Sequence, residues 1–233
     1  FAEQLNFDVK KHILKNGLEV ITIKKNTQIS SINIGIKVGA LNETLEEKGI
    51  SHFIEHMIFK GTENRTFQRL NDELESLGGE YNAYTDYSQT VYSISCLEEE
   101  FINGIELLSD MLINSKLPEE EVDKERGVIL AEIRSSKDSV EDFSFKRINE
   151  VAFEHSALKY DVAGLDENVK NFTRDQLYSY YKKYYVPNNS LITMVSSREH
   201  DDAIKEIEKY FGKWQPKEVK SLDVKDEKNK DIK

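Results

Sequence analysis

The chain has 233 residues, 38% hydrophobic and 10% aromatic, enough apolar surface for a sizeable core and against wholesale disorder. Its 32 Lys and Arg against 43 Asp and Glu give a net charge of −11, which argues against nucleic acid or an anionic membrane as partner, since neutralising phosphates needs a basic surface. One cysteine, Cys96, leaves no internal disulfide framework, and no apolar run approaches the roughly 20 residues of a membrane span.

In chain order, Asn6 to Lys24 reads as a hairpin. Val9 and Ile13 on one arm and Val20, Ile21 and Ile23 on the other flank Asn16-Gly17, a pair suited to a tight turn. Ile32, Ile34, Ile36 and Val38 alternate with Ser31, Asn33, Gly35 and Lys37 as a half-buried strand. A helix is expected from Ile50 to Lys60, ended by Gly61, and a second one carries Phe67, Leu70, Leu74 and Leu77 before Gly78-Gly79. Glu80 to Leu97 returns to period two, and Cys96 in that run reads as a buried core thiol. Helical spacing resumes with Phe101, Ile105, Leu108 and Leu112. Pro118 precedes a helix to about Lys137, and Ser139 with Asp142 caps another through Ala152. Thr173-x-x-Gln176 is a capping box before a helix ending near Tyr185. Ser190 to Ser196 is a short strand, and Asp201 to Tyr210 a last helix.

These elements imply an α+β fold, a largely antiparallel sheet with helices packed mainly on one face. They fill one domain, residues 1–215. Residues 216–233 are mostly Lys, Asp and Glu and read as a linker or tail, which suggests that a further segment follows. The lone cysteine fits a reducing, cytoplasmic compartment. Because the chain opens on Phe1, the lack of a leader adds little to that expectation, and an organelle matrix stays open.

The helix at Ile50–Lys60 carries the chemistry. Ile50, Phe53, Ile54, Met57 and Ile58 make most of its circumference apolar, yet His52, Glu55 and His56 share one face at i, i+3 and i+4. Two imidazoles one turn apart reach a common tetrahedral cation at about 2.0–2.1 Å each, and a neighbouring carboxylate can take a proton from a water polarised there. This is the inverted H-x-x-E-H zinc motif. The plainer alternative is a pair of core histidines with a glutamate as their partner. A metal site needs a third protein ligand, and the helix after Pro118 offers one: Val122, Glu125, Ile129 and Glu132 follow an amphipathic seam. Carboxylates at seam positions are costly to bury unless a cation lies nearby. Here too an alternative stands, with Lys124, Arg126 or Arg134 bridging the two glutamates or solvent covering them.

His52-Phe53-Ile54-Glu55-His56 together with Glu125-Arg126-Gly127-Val128-Ile129-Leu130-Ala131-Glu132 resembles the pitrilysin/insulinase family, which includes mitochondrial processing peptidase and bacterial zinc peptidases. The resemblance extends through Phe59-Lys60-Gly61-Thr62, Gly78-Gly79-Glu80-Tyr81-Asn82-Ala83-Tyr84-Thr85 and Tyr184-Tyr185-Val186-Pro187-Asn188-Asn189. It implies one Zn2+ per chain held by His52, His56 and Glu132, with Glu55 as general base and Glu125 in support. Asn82 and Ala83 match an edge strand that pairs with substrate backbone, although a turn asparagine is a competing reading of Asn82. The implied substrate is a peptide or unfolded protein. The implied partner is a second, similar half, in the same polypeptide or a partner chain, which supplies an arginine and a tyrosine; a homo-oligomer is also compatible. A non-catalytic peptide-binding subunit and a zinc-bound structural module are the alternative functions.

Overall fold

A computed structural model describes residues 7–220. Asn6, and residues 221–233 of the charged tail, lie outside the described residues. Strands β1 (Asp8–Ile13), β2 (Glu19–Lys24) and β3 (Ile29–Ile36) come first, then helices α1 (Ile50–Ile58) and α2 (Phe67–Ser76). The hairpin of β4 (Glu80–Thr85) and β5 (Thr90–Leu97) leads into α3 (Phe101–Asn114), α4 (Glu119–Asp138) and α5 (Val140–Ala152). Helices α6 (Asp166–Asn171) and α7 (Arg174–Tyr184), strand β6 (Ser190–Ser196) and helix α8 (His200–Phe211) complete the order. The short α6 is absent from the sequence reading, and α1 stops two residues before Lys60.

The sheet runs β1-β2-β6-β3-β5-β4. Every neighbouring pair is antiparallel except β2–β6, which is parallel, so the late strand β6 lies between two strands from the start of the chain. One face of the sheet is buried: Ile32 and Ile34 pair with Ile94 and Tyr92 on one side and with Met194 and Ile192 on the other. Burying each such side chain contributes about 1.5–3 kcal/mol relative to leaving it exposed. The helices supply the rest of this core, through residues such as Phe53, Leu108, Tyr181 and Ile207. Ser31, Asn33, Ser93, Ser95 and Thr193 occupy the other face and are half-exposed, so the core is one-sided as the alternation implies. Cys96 lies in that core, where burial pushes its thiol up to about 11.

Residues 216–220 form no regular element, yet they are held to the body. The Asn188 side chain donates to Lys217 O at 2.7 Å and accepts from Lys217 N at 3.2 Å, and Val219 packs on the core. The fold ties α1 down at both ends. Beyond its C-terminus, Arg65 bridges Glu73, Asp110 and Glu106 at 2.6–2.7 Å and so fixes the loop to α2 and α3. At its N-terminus, the Glu43 carboxylate accepts from Gly49 N at 3.0 Å and Ser51 N at 2.9 Å, satisfying amides that have no intrahelical partner.

Gly49 and Gly164 meet back to back beside this cap, with φ of 100° and 89°. A Cβ on Gly164 would come within 2.4 Å of Gly49 Cα and of Lys48 O. Gly164→Ala therefore strains the backbone and forces the 161–164 loop off α1. Chemical denaturation should show a loss of about 2–4 kcal/mol. A loss below about 0.5 kcal/mol, the range of neutral surface changes, would mean that the loop moves aside freely.

Candidate metal centre

Helix α1 buries Ile50, Phe53, Ile54, Met57 and Ile58, which turns His52, Glu55 and His56 toward α4 and the end of β4. The α4 seam is Val122, Glu125, Ile129 and Ile133, all buried. The sequence spacing puts Glu132 in that seam, and here the structure differs. Ile133, four residues after Ile129, takes the buried position, while the Glu132 side chain remains 48% exposed at the rim. Of the two glutamates only Glu125 is buried, and Lys60 lies 2.6 Å from its Oε1. Lys124 pairs instead with Glu121, and Arg126 reaches Asp123 and the carbonyls of Val169 and Phe172, so neither bridges Glu125 to Glu132.

The structure brings His52, His56 and Glu132 together. Their inward atoms form a triangle: His52 Nε2 to His56 Nε2 is 3.3 Å, His56 Nε2 to Glu132 Oε2 is 3.5 Å, and His52 Nε2 to Glu132 Oε2 is 3.7 Å. Ligands about 2.0–2.1 Å from a tetrahedral zinc ion lie about 3.3–3.4 Å apart, so the triangle fits that ion. Among the described residues this is the one group of three or more such side chains whose ligand atoms converge.

The electrostatics agree with the geometry. Burial, helped by the neighbouring His56, depresses His52 to about 4, against the opposing charge of Asp161; the imidazole is neutral near pH 7 and keeps a lone pair. His56 is raised: burial works against this, but the Glu125 hydrogen bond and the charges of Glu132 and Glu55 outweigh it. His56 Nδ1 lies 3.2 Å from Glu125 Oε2. A proton on Nδ1 directed at that carboxylate leaves Nε2 free to face the centre. Glu125 is in turn held below its ordinary value, since its bonds to His56 and Lys60 outweigh its burial.

Glu55 sits beside the triangle, and the Thr85 hydroxyl donates to its Oε2 at 2.7 Å. Burial raises this carboxyl, with the Thr85 bond and the His56 charge opposing. Asn82 and Ala83 lie within β4, an edge strand, and Asn82 is not in a turn. Residue types and spacing missed Lys60 and Thr85, although both fall inside stretches that carry the family resemblance. Neither has a ligand-type side chain that spacing alone would single out.

Comparison with known proteins identifies the family. The pattern for Insulinase (Peptidase family M16) matches residues 19–166, and that for the Peptidase M16 inactive domain matches residues 171–233. An uncharacterized zinc protease of Rickettsia bellii is 35% identical over 88% of this chain and 50% of its own length. A probable mitochondrial-processing peptidase β subunit of Arabidopsis thaliana is 33% identical over 86% of this chain and 38% of its own length. A protease from Helicobacter pylori superposes with a TM-score of 0.88 at 25% identity, covering 94% of this chain and 53% of that one. The chain thus spans about half the length, or less, of the curated relatives it matches. It belongs to the insulinase family of peptidases, peptidase family M16.

Proposed function

We propose that this chain is the zinc-binding, catalytic half of an endopeptidase that cleaves extended or unfolded peptides. The observation that carries the reading is the triangle of His52 Nε2, His56 Nε2 and Glu132 Oε2, spaced 3.3–3.7 Å apart beside a buried carboxylate. His52, His56 and Glu132 would hold the ion, which supplies a Lewis acid for the water and the peptide carbonyl. Glu55 takes the proton of the attacking water and returns it to the leaving amine, and the burial that raises its carboxyl suits that exchange. Glu125 and Lys60 orient His56.

The edge strand β4 supports the substrate class. Ala83 N–H is turned off the sheet onto Asn82 Oδ1 at 2.9 Å, so alternate residues Tyr81, Ala83 and Thr85 direct backbone groups to the open edge. A peptide added there is bound through its backbone, with little demand on its sequence. A non-catalytic peptide-binding subunit would have no use for Glu55. A purely structural zinc module would close its fourth position with a protein ligand, and only three ligands converge among the described residues.

Metal analysis of the zinc-reconstituted protein should give one equivalent per chain, and His52→Ala or Glu132→Ala should lower it sharply. An unchanged stoichiometry in both variants would remove them as ligands. Glu55→Gln should retain zinc and lose about 10²–10⁴-fold in peptidase rate within the complete enzyme, because the amide cannot accept a proton. A variant of parental rate would show that Glu55 is not the base. The 233-residue chain alone should be a weak or inactive peptidase compared with a two-half polypeptide assayed on one unstructured peptide. Equal catalytic efficiency would make the second half dispensable.

A further inference from the structure

Thr85 is the residue among those described whose hydroxyl touches the Glu55 carboxylate, at 2.7 Å from Oε2, and its backbone amide acts on the same group. Its place in the sheet gives the contact a further consequence. Strand β4 is a sheet edge, and its outward backbone groups fall on Tyr81, Ala83 and Thr85. Thr85 is the last residue of the strand and ends that row. Tyr81 presents its outward groups to an added strand and Ala83 its carbonyl, its amide being held by Asn82, whereas Thr85 gives its amide to Glu55. The row of pairing groups therefore runs directly into the side chain read as the base.

We propose that Thr85 is a positioning residue, clamping Glu55 to the end of the open edge so that a peptide laid on Tyr81 and Ala83 meets the carboxylate in one register. The inference rests on the reading of Glu55 as proton acceptor. A glutamate has three side-chain torsions, and a long side chain of this kind gives up rotamer freedom when fixed. Helix α1 fixes only the Cα of Glu55. The hydroxyl fixes the carboxylate, and because it comes from the substrate-pairing strand, the base and the peptide share one reference frame. Misplacement by about 1 Å costs about 10²-fold in rate, which sets the scale of the effect.

The test compares Thr85→Val and Thr85→Ser in the full zinc-loaded polypeptide, on one unstructured reporter peptide. Valine keeps the shape and the strand preference without the hydroxyl, and serine keeps the hydroxyl. For Thr85→Val, kcat should fall about 10–100-fold while KM stays within about twofold, and Thr85→Ser should recover most of the loss. Zinc content and thermal midpoint should match the parent in both, whereas a merely structural role would lower them. The proposal is overturned by parental kcat in Thr85→Val, by a change confined to KM, by lost zinc, or by a serine variant as slow as the valine one. Failure of the underlying reading looks different: Glu55→Gln would then turn over at the parental rate, whatever the Thr85 variants do.

Discussion

Helix α1 has to be buried and polar at once, and most of the architecture answers to that demand. It has nine residues, too few to be stable alone, so its helicity depends on packing. Five apolar side chains supply that packing, and Glu43 and the Arg65-anchored loop hold the two ends. A short helix pinned at both termini has little freedom to rotate or slide. That rigidity, with the Glu125–Lys60 pair behind His56, lets two imidazoles one turn apart keep their Nε2 atoms 3.3 Å from each other.

Such an approach of two nitrogens is unfavourable if both carry a proton or both carry a lone pair, and is relieved by one N–H···N bond or by a cation between them. The surroundings bias the pair toward a cation. Burial keeps His52 neutral, Glu125 takes the Nδ1 side of His56, and Glu132 and Glu55 bring negative charge to the rim and the flank. Lys60 is the basic side chain bound into this cluster, and it is committed to Glu125. The excess of acceptors over donors is what a divalent ion neutralises, and removing one partner of so dense a set leaves a buried charge uncompensated.

Much of this was legible in the sequence because it follows periodicity. The apolar face of α1, the alternation of β3 and β5 and the capping box at Thr173 each depend on neighbours within a few residues. The placement of β6 between β2 and β3 was not legible, since Ile192 and Ile34 pair across a long stretch of chain whose pattern is silent about register. Glu132 shows the limit most clearly. Heptad-like counting assigned it to the seam, but the helix buries Ile133 instead, a rotation of one residue that the apolar content of Val122 and Ile129 does not resolve. The residue joins the histidines from the rim, where it is half-exposed, rather than from the interior. Lys60 and Thr85 were hidden for another reason: their roles come from what they touch, and their types are common on any surface.

The open edge of β4 also bears on the proposal that one half alone binds substrate weakly. An unpaired edge invites association with other strands, and Asn82 blunts it by occupying the Ala83 amide. An incoming peptide must displace that bond, so it exchanges one hydrogen bond for another at that position, and Thr85 is already engaged with Glu55. A net hydrogen bond contributes about 0.5–1.5 kcal/mol, and the few remaining outward groups give at most a few kcal/mol. Association costs about 4–15 kcal/mol in lost translational and rotational freedom before any ordering of the peptide is counted. On the proposed reading, the edge would set direction and register, while the affinity would have to come from a second surface closing over the bound strand.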